Sequence, residues 1–408
     1  MLKLPDDEHS YWKDTISKSS YPVIEHDIEV DTVIIGGGIT GLTAAYLLKE
    51  SGQTVAVLEK NTIGSGTTGG TTGKVTSQHG LMYAELSERL GKKTALIYAE
   101  SNQAALKQIA YIITKEKIAC QWETEDNYVY TAQSKNIEKF KSEAKVALDL
   151  GLPASFEDQL PLPFKIKAAV KFANQAKFHA PNYTKGLAAA VNGSGSYVFE
   201  HSNATGISDG SPCQVKSGHA TITAKNIIVA TKMPTAPLIA RAACAIVEYP
   251  QTSYIVAGKL DSPMKGMYIS PDKGHYSLLP VTDGNQQLLL IGGEKHIPGL
   301  GSPSKRFKKL ANYAQEHFGI SSISYKWKAM DYLAYDELPL IGKMYPWSKH
   351  MYTATGFKKW GLSTSMVAGN ILRDLILGQQ NPWAEVFDST RLRPITSIPH
   401  AAIKYIKS

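Results

Sequence analysis

The sequence predicts an α/β fold in which two domains interleave along a chain of 408 residues. Three observations carry that prediction. A buried strand, a helix and a second buried strand follow one another within residues 31–60, the βαβ arrangement of a parallel sheet. The same buried-strand style returns at residues 226–231 and 351–356. Between those returns, residues 249–335 read as strands interrupted by one helix, as in a second sheet of antiparallel character. At ~150 residues per domain the length allows two or three units, and the pattern selects two.

Taken in order, residues 31–36 (DTVIIG) form a β-branched apolar run closed by glycine. Residues 39–50, rich in Ala and Leu, predict a helix that stops at Ser51 and Gly52, and residues 54–60 (TVAVLEK) predict the next strand. Residues 61–80 are dominated by Gly and Thr, and a loop of that length usually serves function. Helical patterns follow at 82–90, 94–117 and 136–150, a strand near 166–173, and a helix at 181–193. A hairpin at 213–223 leads into the strand 226–231 (NIIVAT). The second sheet takes residues 252–260, 266–270, 275–281, 286–293 and 324–335, with a helix at 303–318. Leu362, Met366, Val367, Ile371, Leu372, Leu375 and Ile376 mark the apolar face of a final helix. The expected boundaries are residues 1–117, 176–242 and 336–382 for the first domain and 118–175 and 243–335 for the second, with 383–408 as a C-terminal tail.

Composition narrows the function classes. Three cysteines, none in a CxxC or CxH pattern, argue against a disulfide scaffold or a metal knuckle and point to a cytoplasmic protein. The opening residues carry acids rather than an apolar core, and no run of ~18 apolar residues occurs, so neither a secretory signal nor a membrane span is expected. The net charge is +8, but the lysines are scattered, which speaks for ordinary solvation and against a nucleic-acid partner.

Residues 36–41 (GGGITG) satisfy GxGxxG, follow a predicted strand, open a predicted helix, and precede Glu59 by 18 residues counted from Gly41. In that context the pattern has a mechanism. Gly36 permits the tight turn, Gly38 lets a diphosphate approach the backbone, and Gly41 allows close packing of helix on strand. The helix N-terminus offers N–H groups to the diphosphate, and Glu59 offers its carboxylate to the ribose hydroxyls. The loop after Glu59 favours FAD over NAD, because a simple NAD domain continues quickly into its next helix. Here a Gly/Thr-rich stretch intervenes that can follow an extended diphosphate towards a flavin. No second nucleotide fingerprint is present.

The segments quoted so far, together with KFHAPNYTKGLAAAV (177–191), DELPLIG (336–342) and TATGFKKWG (353–361), resemble the FAD-dependent amine and amino-acid oxidoreductases that include D-amino-acid oxidase, glycine oxidase and sarcosine oxidase. The resemblance spans nearly all of residues 31–380. SYWKDT (10–15), GTTGGTTGKVTSQHG (66–80), PVTDGNQQLLLIGGEKHIPG (280–299) and MDYLAYDELPLIG (330–342) are most similar to a bacterial subgroup whose flavoprotein unit is followed by a Rieske domain, a motif this sequence lacks. It implies a Rossmann-like FAD-binding domain of glutathione-reductase type, interleaved with a substrate domain of antiparallel sheet plus helices. It implies FAD held non-covalently and oxidation of a C–N bond, with hydride passing to flavin N5 and the imine then hydrolysed. Electrons would go to dioxygen or another acceptor, an iron–sulfur protein among them. A flavoprotein acting on aminomethyl groups of tRNA is the alternative.

Carried over by position, the resemblance assigns Gly36, Gly38, Ile39, Thr40, Gly41, Glu59 and Lys60 to the adenosine-diphosphate site. Gly66, Thr67 and Thr68, then Gly73, Lys74, Val75 and Thr76, match the stretch along the diphosphate and isoalloxazine. Ala204 matches the adenine contact, and Ala230 and Thr231 back the cofactor. Gly356, Phe357, Lys358, Trp360, Gly361 and Leu362 match the loop and helix N-terminus at the flavin's pyrimidine edge. The substrate is expected to be a small amine or amino acid. Lys359 matches one arginine of the carboxylate clamp in glycine oxidase, and Asp331 matches the other, a charge reversal that favours an ammonium. Lys74 and Trp360 complete the catalytic candidates, as a charge near the flavin and a ring over it. Tyr249, Tyr254, Tyr268, Tyr276, Tyr332 and Tyr335 are candidates for an aromatic pocket wall, whereas His79, His179 and Cys244 read as structural. The purified protein is expected to be yellow, and Glu59→Arg to abolish FAD uptake as measured by absorbance near 450 nm (an approximate flavin maximum).

Overall fold

The computed structural model describes residues 2–16, 20–231, 245–299 and 301–398. The first sheet places strand Ile28–Ile35 at its centre, hydrogen-bonded in parallel to Val55–Leu58 on one side and to Ala220–Val229 on the other. Tyr197–Phe199 continues the parallel order beyond Val55–Leu58, and Met351–Thr355 beyond Ala220–Val229. Leu340–Lys343 closes that edge as an antiparallel strand. The expected hairpin and the strand after it are one element: Ala220–Val229 pairs with Cys213–Ser217 through its first half and with the central strand along its length. Four consecutive residues of the central strand, Thr32, Val33, Ile34 and Ile35, are buried, as β-branched residues on a doubly covered sheet should be.

Helix Ile39–Glu50 is buried from Ile39 to Leu48, between the sheet and helix Gly361–Ile376. Small residues make that sandwich possible. A Cβ on Gly369 would lie 2.9 Å from both Leu47 and Thr43, so the two helices approach through a glycine. Helix Ala180–Val191 starts at His179, whose Nδ1 accepts a hydrogen bond from the Asn182 N–H at 3.2 Å. Burial pushes the His179 ring down to about 4, so it stays neutral, a cap and not a charge.

The second sheet runs Tyr325–Ala334, Glu248–Lys259, Gln286–His296, Ser277–Asp283, Met267–Ile269, Glu123–Thr131, Ala168–Lys177 and Lys74–Val75. Two features depart from the expectation. Met267–Ile269 lies parallel to Glu123–Thr131, so the sheet is mixed where it joins strands from distant parts of the chain. Lys74–Val75, inside the Gly/Thr-rich loop, pairs with Ala176 and Lys177 and is an edge strand of this second sheet. The loop therefore crosses from one sheet to the other, and the cavity described below lies along that crossing. Among the described residues no helix is long and apolar enough to cross a membrane. Cys244, residues 232–243 and residues 399–408 lie outside the described residues.

Part of the expected C-terminal tail has a structural duty. The Arg391 guanidinium donates to both carboxylate oxygens of Asp336, at 2.7 and 2.8 Å, and to the carbonyls of Leu338, Pro339, Phe387 and Asp388. Asp336 is 2% exposed. A bidentate pair so deeply buried holds the turn that enters strand Leu340–Lys343. Arg391→Ala strands the Asp336 charge and is expected to lower unfolding stability by roughly 3–5 kcal/mol in urea titrations. Lys141→Ala, which breaks an exposed pair with Glu138, is expected to change it by less than about 1 kcal/mol.

Candidate active site

One cavity of about 1050 Å³ runs between the two sheets, from the Gly36 turn to the strands of the second sheet. At its first end the chain leaves strand Ile28–Ile35 through Gly36, whose φ of +115° favours glycine. A Cβ on Gly41 would lie 2.0 Å from the Gly36 carbonyl oxygen, so position 41 admits glycine alone. Glu59 accepts the Gly37 N–H and the Asn61 N–H, each at 2.9 Å, one on each carboxylate oxygen. Each oxygen has capacity for a further hydrogen bond, and Glu59 lines the cavity. Thr68 Oγ1 accepts the Ile39 N–H at 3.1 Å, which ties the Gly/Thr-rich loop to the helix N-terminus. Thr231 Oγ1 lines the same cavity, buried and without a hydrogen-bond partner among the described residues. Open glycine backbone, a helix N-terminus, a carboxylate in the wall and an orphaned hydroxyl together fit a dinucleotide.

The far wall is built by the turn between Thr355 and helix Gly361–Ile376. Gly356, Lys358 and Lys359 all take left-handed backbone, with φ of +71°, +50° and +73°. Two successive lysines in that region store strain, and the surroundings hold them there. Asp331 accepts the Lys359 N–H on Oδ2 and the Tyr332 N–H at 2.9 Å on Oδ1. Lys358 pairs with Glu337 at 3.3 Å. The Lys359 ammonium opens onto the cavity and donates to Ser253 Oγ at 2.7 Å. Enclosure by protein pushes it down to about 7, assisted by the positive charges of Lys295 and Lys358 and opposed by Asp331. His275 is pushed down to about 4 by burial, then by Lys295 and Lys359. Three basic side chains thus converge on one end of the cavity.

Lys74 is 5% exposed and donates to the Tyr268 carbonyl at 2.7 Å and to Ser277 Oγ at 2.8 Å. Burial without a carboxylate partner among the described residues moves its ammonium well below the ordinary lysine range. Trp360 stacks on His79, with ring centroids 4.8 Å apart. The His79 Nδ1 bonds to Tyr98 Oη at 2.6 Å, and its Nε2 bonds to the Thr76 carbonyl at 2.8 Å and to Ser363 Oγ at 3.0 Å. Both ring nitrogens are engaged, and burial holds the ring neutral, at about 3.

The structure brings most of the expected site residues to this cavity: Gly36, Gly38, Ile39, Thr40, Glu59, Lys60, Gly66, Thr67, Thr68, Lys74, Ala204, Ala230, Thr231, Asp331 and residues 356–362. Four stand behind it. Gly41 packs on the Gly36 carbonyl, Gly73 on the Trp12 ring, and Val75 is buried in the core. Thr76 donates its hydroxyl to Gln175. Of the six tyrosines expected as a pocket wall, Tyr249 lines the cavity. Tyr268 instead stacks on Tyr128 and Tyr276 on Tyr313, while Tyr254 packs edge-on to Phe307. Lys328, on the same strand as Asp331, pairs with Glu8 at 3.3 Å. Gln251, Ser253, His275, Lys295 and the N-terminal Glu8, Ser10 and Lys13 line the cavity and were not expected there. The odd positions 249, 251 and 253 share one strand face, a period-two signal that marks a polar stripe on an otherwise buried strand.

Comparison with known proteins agrees with this geometry. The family model described as FAD dependent oxidoreductase matches residues 31–375. A relative named putative Rieske 2Fe-2S iron-sulfur protein YhfW, from Bacillus subtilis (strain 168), is 35% identical over 387 residues, which cover 94% of this chain and 75% of that protein. The crystal structure of glycine oxidase from Geobacillus kaustophilus superposes with a TM-score of 0.76 at 19% identity, covering 89% of this chain and 99% of that one. L-proline dehydrogenase from P. horikoshii gives a TM-score of 0.74 at 19% identity, over 90% and 98% of the two chains. At those identities the solved structures speak for the fold. The dinucleotide cradle, the second sheet and the family match over most of the chain together place this protein in the DAO family of FAD-dependent oxidoreductases.

Proposed function

We propose that this protein oxidises the C–N bond of an amino acid or of another amine that carries a carboxylate, with FAD bound non-covalently in the cavity. When bound, FAD supplies the two-electron acceptor for that oxidation. The observation that carries the substrate reading is the convergence of Lys359, Lys295 and His275 at the cavity end opposite the Gly36 turn. The repulsion between the Lys359 and Lys295 ammoniums is relieved by an anion, to which neutral His275 offers a ring N–H, and the cavity leaves room for one. Charge reversal at Asp331 favoured a simple amine as long as that carboxylate was read as facing substrate. Its bonds to two backbone N–H groups support a different duty, fixing the strained turn that presents Lys359.

In this reading Glu59 and the glycine turn hold the adenosine end, and residues 66–68 follow the diphosphate. The N-terminus of helix Gly361–Ile376 opens onto the cavity and favours negative charge there. Lys359 anchors the carboxylate and thereby fixes which face of the substrate carbon meets the cofactor. Trp360, braced by His79, walls the site and excludes water. The three cysteines of the whole sequence suit a reducing compartment. The proposed acceptor is dioxygen or a partner protein, which peroxide release in air separates.

Anaerobic bleaching of the flavin by a panel of amines and amino acids tests the substrate class. Carboxylate-bearing amines are expected to bleach it at the lowest concentrations, and reduction by carboxylate-free amines alone would overturn the reading. Lys359→Met is expected to weaken carboxylate-bearing substrates roughly 10–100-fold, the scale of a lost charged hydrogen bond, without changing the oxidised flavin spectrum. The pH dependence follows from the depressed Lys359 pKa. The ammonium that binds an anion is present below about 7 and lost above it. Acetate affinity, read from flavin absorbance, should therefore fall as pH rises through that value, by up to about tenfold per pH unit. His275, neutral across this window, does not contribute to the slope. Lys359→Met should flatten the profile.

A further inference from the structure

The family match begins at residue 31, yet residues 8–15 reach into the cavity wall. This is the SYWKDT segment, which neither the fingerprint nor the proposed oxidation uses. Ser10 Oγ donates to the Gly69 carbonyl at 2.6 Å, and Trp12 Nε1 donates to the Thr71 carbonyl at 2.7 Å. The same segment explains two glycines of the loop. A Cβ on Gly73 would lie 2.8 Å from the Trp12 ring, and one on Gly69 would lie 2.9 Å from Cε of Lys13. The stretch gripped in this way contains Thr68, which bonds the N-terminus of helix Ile39–Glu50.

The other side of the segment is fastened to the second sheet. Tyr11 Oη donates to the Thr282 carbonyl at 3.2 Å, and Glu8 pairs with Lys328 at 3.3 Å. Lys326 donates to the carbonyls of Pro5 and Asp6, and Thr15 Oγ1 meets His179 Nε2 at 2.9 Å. Residues 2–16 thus strap the loop to both domains. Lys13 has no ion-pair partner among the described residues, and its side chain lines the cavity against Gly69.

We propose that residues 8–15 complete the cofactor site: Lys13 is a binding residue for the anionic diphosphate of the dinucleotide, and Ser10 and Trp12 are positioning residues that clamp residues 67–73 against it. This rests on the reading of the cavity as an FAD site. Lys13 adds a mobile positive charge to the fixed partial charge of the helix N-terminus. Ser10 and Trp12 act through the loop, by removing its freedom to open before the cofactor is bound.

Full-length wild type, Lys13→Gln, Lys13→Arg, Ser10→Ala and Trp12→Phe are titrated with FAD, following flavin fluorescence for affinity and release rate. Hydrogen exchange of residues 67–73 is measured without FAD. Lys13→Gln is expected to weaken FAD about 5–10-fold at low salt, with the difference shrinking at about 0.5 M salt and restored by Lys13→Arg. Ser10→Ala, which removes one hydrogen bond, and Trp12→Phe, which removes one hydrogen bond and some core volume, are expected to release FAD several-fold faster and to raise exchange in residues 67–73 more than in the rest of the chain. Wild-type affinity and release rate in all of these variants would overturn the clasp while leaving the FAD reading intact. A wild type that takes up no FAD would overturn the FAD reading itself, and the clasp with it.

Discussion

The contact between Gly41 and the Gly36 carbonyl sets the position of everything around the site. With only 2.0 Å available to a Cβ, the helix after the central strand can start directly on top of the turn. That start point aims the helix N-terminus at the cavity and brings Gly37 within reach of Glu59. Glu59 in turn ends the neighbouring parallel strand, so one backbone approach fixes the relation of two strands, a helix and an acid. Thr68, bonded to the Ile39 N–H, then carries the geometry into the Gly/Thr-rich loop.

From there the constraint spreads through a loop anchored at both ends. It begins at the first sheet, is held by Ser10 and Trp12 in its middle, and finishes as Lys74–Val75 on the edge of the second sheet. A loop so pinned forms a wall and not a flap. On the opposite wall the left-handed Lys358 and Lys359 are held by Glu337, Asp331 and Ser253, residues from two different strands and a turn. Local strain survives there because several independent contacts resist its release.

The electrostatics of the cavity follow the same division. Its dinucleotide end presents backbone N–H groups and a carboxylate fixed by the fold, with the Lys13 ammonium beside them. Its other end relies on side chains whose charges are altered by burial and by one another: Lys74 and Lys359 are depressed, and His275 is held neutral. Titratable groups moved off their ordinary ranges and gathered in one cleft mark a candidate functional site.

The sequence by itself determined the first sheet, the fingerprint, Glu59 and the family, because these depend on short-range rules: strand–helix–strand periodicity, turn glycines and fixed spacing. It also reached the turn at Lys359 through resemblance. It could not decide what Asp331 faces, since a carboxylate's partners on a sheet depend on register and on a turn 28 residues away. Nor could it decide which of six tyrosines meet the cavity, because alternation gives two faces without saying which one packs on the core. Lys295, His275 and residues 8–13 reached the site only when strands distant in the chain paired. Those assignments belong to the tertiary structure, because long-range pairing decides which side chains share a wall.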